Sequence, residues 1–107
     1  MIELKNKQGS NEYQFTLKAD NGQVIFHSSL YPSKNEALQG ISIAKESSPN
    51  RCKYERQTAT NGKFYFNLKS HNNKIIGASQ LYSSESGMEN GIKNVRDHIA
   101  VAQIKEV

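Results

Sequence analysis

The segment FTLKADNGQVIFHSSLY at residues 15–31 recurs as FNLKSHNNKIIGASQLY at residues 66–82, at an offset of 51 residues. Over the wider windows 13–48 and 64–99, 11 of 36 aligned positions are identical without a gap. The matched residues are of many types, so biased composition does not explain the match. The sequence therefore predicts that the chain consists of two copies of a unit of about 50 residues.

The composition limits what this duplication can build. The chain has 107 residues, of which 36% are hydrophobic and 22% charged, and its mean hydropathy is −0.73. These values are typical of one globular domain and leave no room for an apolar membrane-spanning segment. We therefore expect a single domain, residues 1–107, in which repeats at about 1–50 and 51–107 share one hydrophobic core.

Alternation and turn residues predict the first hairpin. Residues 13–19 alternate apolar and polar side chains, which is typical of a half-buried strand. Asn21-Gly22 follows and favours a two-residue type I′ turn. Such a turn would place Ala19 opposite Val24, with both side chains on the apolar face of the hairpin.

A second turn is predicted at residues 60–62, with the sequence Thr-Asn-Gly, after a strand at about 52–58. A two-residue loop would place a glutamate opposite Leu68, which is a poor pair. A three-residue loop places Tyr54 there instead. We therefore expect a bulged turn with Gly62 in the left-handed region of backbone conformation.

Each repeat continues into a helix. Ser33 and Glu36 form a capping box for the first helix, and Ser84 is the expected N-cap of the second. Gly40 and Gly91 lie in mid-helix, where each costs about 1 kcal/mol relative to alanine. Their recurrence predicts close backbone approach, with each helix packed against the sheet. The apolar stripes comprise Ala37, Ile41 and Ala44, and Met88, Ile92, Val95 and Ile99.

The predicted order of elements is βββα-βββα-β, with a final strand at about 100–106. The simplest packing of this α+β pattern is one antiparallel sheet with both helices on one face. The other face would then carry polar and aromatic strand residues: Thr16, Lys18, Tyr65, Asn67 and Lys69.

Three segments, 15–25, 30–34 and 61–69, resemble the YegP-like family of small bacterial proteins of unknown function. The resemblance extends over about residues 2–98. It implies tandem β3-α-β repeats that form a single sheet, with the C-terminal strands swapped between repeats. The family contributes no catalytic residues, so the resemblance implies an architecture and not an activity.

The sequence predicts neither a metal site, a cofactor nor an enzyme. His27, His71 and His98 lack the spacing of metal ligands, and no nucleophile motif or glycine-rich phosphate loop is present. Cys52 is the single cysteine, so an intramolecular disulfide is excluded. We interpret it as a small apolar side chain within a strand.

Three binding functions remain open. The leading hypothesis is a small binding or accessory protein whose partner is unidentified. The alternative is weak, non-sequence-specific binding of nucleic acid through a basic, aromatic-bearing sheet face, because the formal net charge is +4. Strand addition at a sheet edge is a third mode, against which the exchange of final strands counts. The candidate residues of the sheet face are Lys18, Arg56, Lys63, Tyr65 and Lys69.

Two further expectations concern the tyrosines and the location. Tyr31 and Tyr82 each precede a helix and are interpreted as anchors of the corner between strand and helix. The N-terminal sequence lacks a signal peptide and the C-terminal sequence lacks a lipidation signal. We expect a cytoplasmic monomer with internal pseudo-twofold symmetry.

Overall fold

The computed structural model describes residues 1–19 and 21–107, apart from the side chain of Arg51. Single 3₁₀ turns at Arg51–Lys53 and Ile99–Val101 follow the two helices. The helices and strands are, in chain order, β1 (Ile2–Asn6), β2 (Tyr13–Lys18), β3 (Val24–Ser28), α1 (Lys34–Ser47), β4 (Tyr54–Thr58), β5 (Phe64–Lys69), β6 (Ile75–Ser79), α2 (Glu85–His98) and β7 (Ile104–Glu106).

The described strands form one sheet in the order β4-β5-β6-β3-β2-β1-β7. The α+β class and the single sheet are as predicted, but the sheet is mixed and not wholly antiparallel. β7 pairs with β1 in parallel, Ile104 lying opposite Ile2. The reason is that β1 already occupies the antiparallel position beside β2. The chain that leaves α2 therefore adds outside β1 and runs in the same direction as β1.

An approximate twofold axis passes through the centre of the sheet, between β3 and β6. His27 lies opposite Ala78, which is its counterpart in the second repeat. The flanking pairs, Phe26 with Ser79 and Ser28 with Gly77, are exchanged by the same rotation. The predicted strand exchange is present at β7, which belongs to the second repeat and joins the edge of the first.

The helices unite the two repeats. α1 packs on β2 of its own half and on β5 and β6 of the other, and α2 packs on β5 and on β3. One core therefore serves both repeats, as the length of the chain predicts. Its buried apolar residues are Ile2, Leu4, Phe15, Leu17, Ile25, Phe26, Ala37, Ile41, Ala44, Tyr54, Phe66, Leu68, Ile76, Met88, Ile92, Val95 and Ile99.

Both predicted N-cap serines are present, although the described hydrogen bonds of the first cap include only the serine half of the predicted capping box. The Ser33 hydroxyl accepts the Glu36 N–H at 3.2 Å, and the Ser84 hydroxyl accepts the Gly87 N–H at 3.0 Å. Both predicted apolar stripes are buried. Neither helix is long and apolar enough to cross a membrane, within the part of the chain that the structure describes.

The first hairpin departs from the predicted register only next to its turn, because Leu17 lies opposite Phe26, as a two-residue loop at residues 21–22 requires. The Gly22 N–H bonds to the Ala19 carbonyl, and the Ala19 N–H bonds to the Gln23 carbonyl. This is the bulged geometry predicted for the other hairpin, where Gly62 has φ +82° and Tyr54 pairs with Leu68. Val24 therefore lies opposite Lys18 and not opposite Ala19. Among the described residues of the turn, Gly22 is in the left-handed region, with φ +84°, and the turn closes with the bond from Gly22 to Ala19, one residue earlier than a type I′ turn on Asn21-Gly22 would require.

Two element boundaries also differ from prediction. β4 begins at Tyr54, because the preceding residues 51–53 form a 3₁₀ turn. Cys52 is therefore exposed in a turn and is not an apolar strand residue as we interpreted it. The final strand is shortened to Ile104–Glu106 for the same reason, since Ile99–Val101 continue from α2 as a 3₁₀ turn.

Ser28 and Ser79, which are identical in the two repeats, replace a main-chain partner in the sheet. Their hydroxyls accept the N–H groups of Phe15 and Phe66, both at 3.0 Å. Each hydroxyl also donates to the next carbonyl in its own chain, at 2.7 and 2.8 Å. A side chain thus satisfies a buried backbone donor in the interval between the regular strand pairing and the isolated bridges that join Tyr13 to Tyr31 and Phe64 to Tyr82.

Ser79→Ala is expected to destabilise the fold by about 1–3 kcal/mol, because it leaves the Phe66 N–H buried without a partner. Urea unfolding followed by circular dichroism measures this loss. Ser42→Ala, at an exposed position of α1, is the matched control and is expected to change stability by less than about 0.5 kcal/mol. Equal stability of the two variants would contradict the role assigned to the Ser79 hydroxyl.

Candidate binding surface

Tyr31 and Tyr82 fill the space left by the mid-helix glycines. A Cβ atom at Gly40 would lie 2.3 Å from the Tyr31 hydroxyl oxygen, and one at Gly91 would lie 2.2 Å from that of Tyr82. Each tyrosine also stacks on a core phenylalanine, at centroid distances of 6.1 and 6.5 Å. Burial raises the pKa of both hydroxyls. The corner-anchor interpretation is confirmed, but a tyrosine ring and not the sheet backbone approaches each glycine.

The sheet face opposite the helices, here called the outer face, carries two ion pairs related by the twofold axis. Lys18 Nζ lies 3.1 Å from a Glu3 carboxylate oxygen, and Lys69 Nζ lies 2.6 Å from one of Glu55. Hydrogen bonds from Lys69 and from Asn67 lower the pKa of Glu55. Two of the three lysines of the predicted basic face, Lys18 and Lys69, are therefore neutralised locally.

The other candidate residues do not complete a basic cluster. Arg56 donates from Nε and Nη2 to Glu89 of α2, at 2.5 and 2.9 Å, and this contact lowers the pKa of Glu89. Lys63 is exposed in the turn between β4 and β5, and Tyr65 is half-buried opposite Gln57. Lys18 lies on β2, separated from the others by β3 and β6.

The histidines lie on separate elements. His27 is exposed at the twofold axis, His71 lies in the turn between β5 and β6, and His98 ends α2. Residues 1–19 and 21–107 contain no group of three His, Cys, Asp or Glu side chains placed to hold a metal ion.

The two ends of the sheet differ in a way that the sequence did not predict. At one end β7 covers β1, with the Ile2 N–H bonded to the Gln103 carbonyl at 2.8 Å and the Val107 N–H to the Leu4 carbonyl at 2.9 Å. At the other end β4 is the last strand, and none of the described residues forms a strand outside it. We call Tyr54–Thr58 on this open side the β4 edge.

A groove of about 220 Å³ lies beside the β4 edge, between β4 and the start of α2. Residues 56–58, Phe64, Met88, Glu85 and Glu89 line it. Arg56 pairs with Glu89, so the remaining negative charge of the groove comes from Glu85. Neither glutamate is among the candidate residues predicted from the sequence. The signal was present in the repeat alignment, where Glu85 stands in the position of Lys34 and reverses its charge.

Comparison with known sequences confirms the resemblance. The DUF1508 family model, for a domain of unknown function, matches residues 9–55 and again residues 59–106. The UPF0339 protein YegP of Escherichia coli K12 is 44% identical over 101 residues, which cover 94% of this chain and 92% of that protein. A UPF0339 protein of Shewanella oneidensis is 42% identical over 102 residues, covering 95% and 93%.

Solved structures agree with the fold. A solution NMR structure of a Shewanella oneidensis UPF0339 protein has a TM-score of 0.91 and 42% identity, covering 98% of this chain and 88% of that one. The solution NMR structure of the Escherichia coli protein of unknown function yegP has a TM-score of 0.89 and 43% identity, covering 98% and 90%. No function is established for these relatives, so the surface must be interpreted from its own geometry.

Proposed function

The chain belongs to the DUF1508 family and carries its domain of unknown function twice, and from this premise we propose a non-enzymatic module that binds an extended segment of another protein. The segment adds to the sheet as an eighth strand at the β4 edge. The protein acts as a cytoplasmic monomer in this proposal. The non-enzymatic part rests on the sequence, whose histidines are dispersed and whose serines lie mostly at caps and turns.

The main observation behind this proposal is that two equivalent edge strands differ: β1 has β7 beside it, whereas β4 has no strand on its outer side among the described residues. β1 and β4 are related by the twofold axis, because Ile2 lies opposite Leu17 just as Tyr54 lies opposite Leu68. β1 accepts a further strand, β7, through its main chain. The β4 edge therefore has the backbone geometry to accept a strand in the same way.

The orientation of the β4 backbone supports this proposal. Ile2 and Leu4 direct their main-chain groups toward β7, so their counterparts Tyr54 and Arg56 direct theirs away from β5. The Tyr54 carbonyl accepts a 3.5 Å bond from the Arg56 side chain, which is consistent with this direction. Strand exchange thus covers one edge of the sheet and leaves the other available. The expectation from the sequence that exchanged strands would leave no edge for strand addition is therefore weakened.

Selection from a display library of seven-residue peptides tests the function. We expect enriched peptides to shift the amide resonances of residues 54–58 in ¹⁵N NMR spectra. Arg56→Pro should abolish their binding because it removes an outward N–H donor without touching the bonds to β5. Arg56→Ala keeps that donor and is the matched control. Enriched peptides that shift residues elsewhere, or that bind Arg56→Pro unchanged, would contradict the proposal.

The alternative function, binding of nucleic acid through the outer face, is disfavoured by the ion pairs of its basic residues. Three of its four cations, Lys18, Lys69 and Arg56, already neutralise carboxylates. We therefore expect no retention of single-stranded RNA in filter binding at about 50 mM salt, where phosphate-driven contacts are strong. Retention that weakens steeply as salt rises would favour the alternative instead.

A further inference from the structure

We infer that the β4 edge selects a segment that runs parallel to β4 and carries lysine or arginine at the position opposite Arg56, facing Glu85. This inference rests on the proposed function and names the chemistry of the partner. It is drawn from the way in which the chain binds its own β7 at the equivalent edge.

β7 is held by its main chain and by two lysines of α1. All three of its side chains are exposed, so it contributes little to the core. Lys34 Nζ lies 2.6 Å from a carboxylate oxygen of Glu106, and Lys45 Nζ donates to the Ala102 carbonyl at 2.8 Å. One lysine thus recognises a side chain of the added strand, and the other binds the backbone where the strand begins.

The residues of α2 that correspond to these two lysines by the twofold axis lie on the side of the β4 edge. Lys45 corresponds to Arg96, so the cationic donor for the backbone is retained. Lys34 corresponds to Glu85, so the contact with a side chain is reversed in charge.

The register of β7 on β1 identifies which residue of an added strand would lie near Glu85. In β7, Glu106 lies opposite Leu4 of β1. Leu4 corresponds to Arg56, because both lie opposite the equivalent phenylalanines of β2 and β5. A residue opposite Arg56 therefore reaches the acidic groove, where Glu89 is already paired with Arg56 and Glu85 forms no ion pair among the described residues.

The same reversal disfavours a second copy of this chain as the occupant. Its β7 would bring Glu106 against Glu85, and like charges at that distance repel. Addition of β7 from one copy to β4 of another would also be a head-to-tail contact, which does not close and leads to filaments. Charge reversal at Glu85 thus protects the open edge from self-addition while leaving it available to a basic segment.

Two capped peptides with the sequence of residues 101–107 test the inference, one natural and one with Glu106→Lys. Each is titrated at millimolar concentration into the full ¹⁵N-labelled chain, and amide shifts are followed in residues 54–58. We expect the lysine peptide to bind there about three- to tenfold more tightly than the natural peptide. In the Glu85→Lys variant the preference should reverse, and in Glu85→Gln it should be reduced.

The outcomes separate the inference from the function on which it rests. Equal shifts of residues 54–58 by both peptides overturn the charge selection and leave strand addition standing. Shifts confined to β1, by exchange with β7, or no shift with either peptide overturn both. Unchanged α2 resonances in Glu85→Lys show that a lost preference is not a lost helix.

Discussion

Gly77→Phe is expected to prevent folding of the chain, and combining it with Phe26→Gly is expected to recover only the part of the stability that is lost to contact between the two rings. Gly77 is the repeat counterpart of Phe26, and the two lie beside the twofold axis. A Cβ atom at Gly77 would lie 2.3 Å from the His27 carbonyl oxygen and 2.7 Å from Cζ of Phe26. The space beside the axis therefore holds one aromatic ring and not two.

Each single change has a distinct cost. Phe26→Gly empties a fully buried site and is expected to cost about 4 kcal/mol or more. Gly77→Phe overpacks the same site against backbone atoms that cannot rotate away, which is expected to cost more than the usual 1–3 kcal/mol of an overpacked core. Either cost is a large fraction of the stability of a domain of this size.

The double variant moves the ring to the other side of the axis. Its new neighbours are Phe66 and Leu68, which are identical in type to the Phe15 and Leu17 that surround Phe26. The contacts of a Cβ atom at position 77 with the His27 carbonyl oxygen and the Ser28 Cα atom persist in the double variant, so the pair recovers only the cost of ring–ring contact. We therefore expect a coupling energy of about 1–2 kcal/mol in favour of the pair, measured by urea unfolding of all four proteins.

If Gly77→Phe does not fold, Gly77→Ala can replace it in the same double-mutant cycle with Phe26→Gly. Gly77→Ala should itself destabilise the chain by about 1–3 kcal/mol. A double variant no more stable than the weaker single variant would contradict the picture of one ring shared across the axis.

The repeat alignment predicted most of the fold because duplication constrains structure at every level. Ser33 and Ser84 cap their helices, and Gly40 and Gly91 lie under equivalent tyrosines. An identity retained in both copies has to satisfy the same local geometry twice. Positions of this kind could therefore be assigned a structural role without coordinates.

The errors in the prediction arise where one residue has more than one physically allowed role. Asn21-Gly22 fits a type I′ turn, but it equally fits a turn that ends with Gly22 alone in the left-handed region. Cys52 precedes a strand, and neither propensity nor periodicity distinguishes a strand residue from a 3₁₀ turn at such a boundary.

The candidate surface was harder to predict than the fold, because it lies where the repeats differ. Lys18 and Lys69 recur, and their recurrence reflects ion pairs with Glu3 and Glu55 and not a shared ligand. The parallel direction of β7 follows from tertiary competition with β1, which no local pattern encodes. Only the position of β7 beside β1 shows that β4, the counterpart of β1, lacks a neighbouring strand on its outer side among the described residues.

Residues 1–50 expressed alone are expected to fail to fold as a monomer, because α1 would lose the strands β5 and β6 on which it packs. The first repeat would also lose β6 from the centre of the sheet and β7 from its edge. We expect a fragment that either remains unfolded by circular dichroism or self-associates in sedimentation. A stable, monomeric half-chain would contradict the single shared core.

Mixing residues 1–50 with residues 51–107 supplies the control, since together they contain every strand of the sheet. The break lies in the turn before β4 and separates the Tyr54 hydroxyl from the Ser48 carbonyl, to which it donates at 2.8 Å. Because this and the helix–sheet contacts can reform between fragments, we expect a 1:1 complex with the circular dichroism of the intact chain. The complex should be less stable than the covalent chain and its melting temperature should rise with concentration, as mass action requires when two fragments must associate in order to fold.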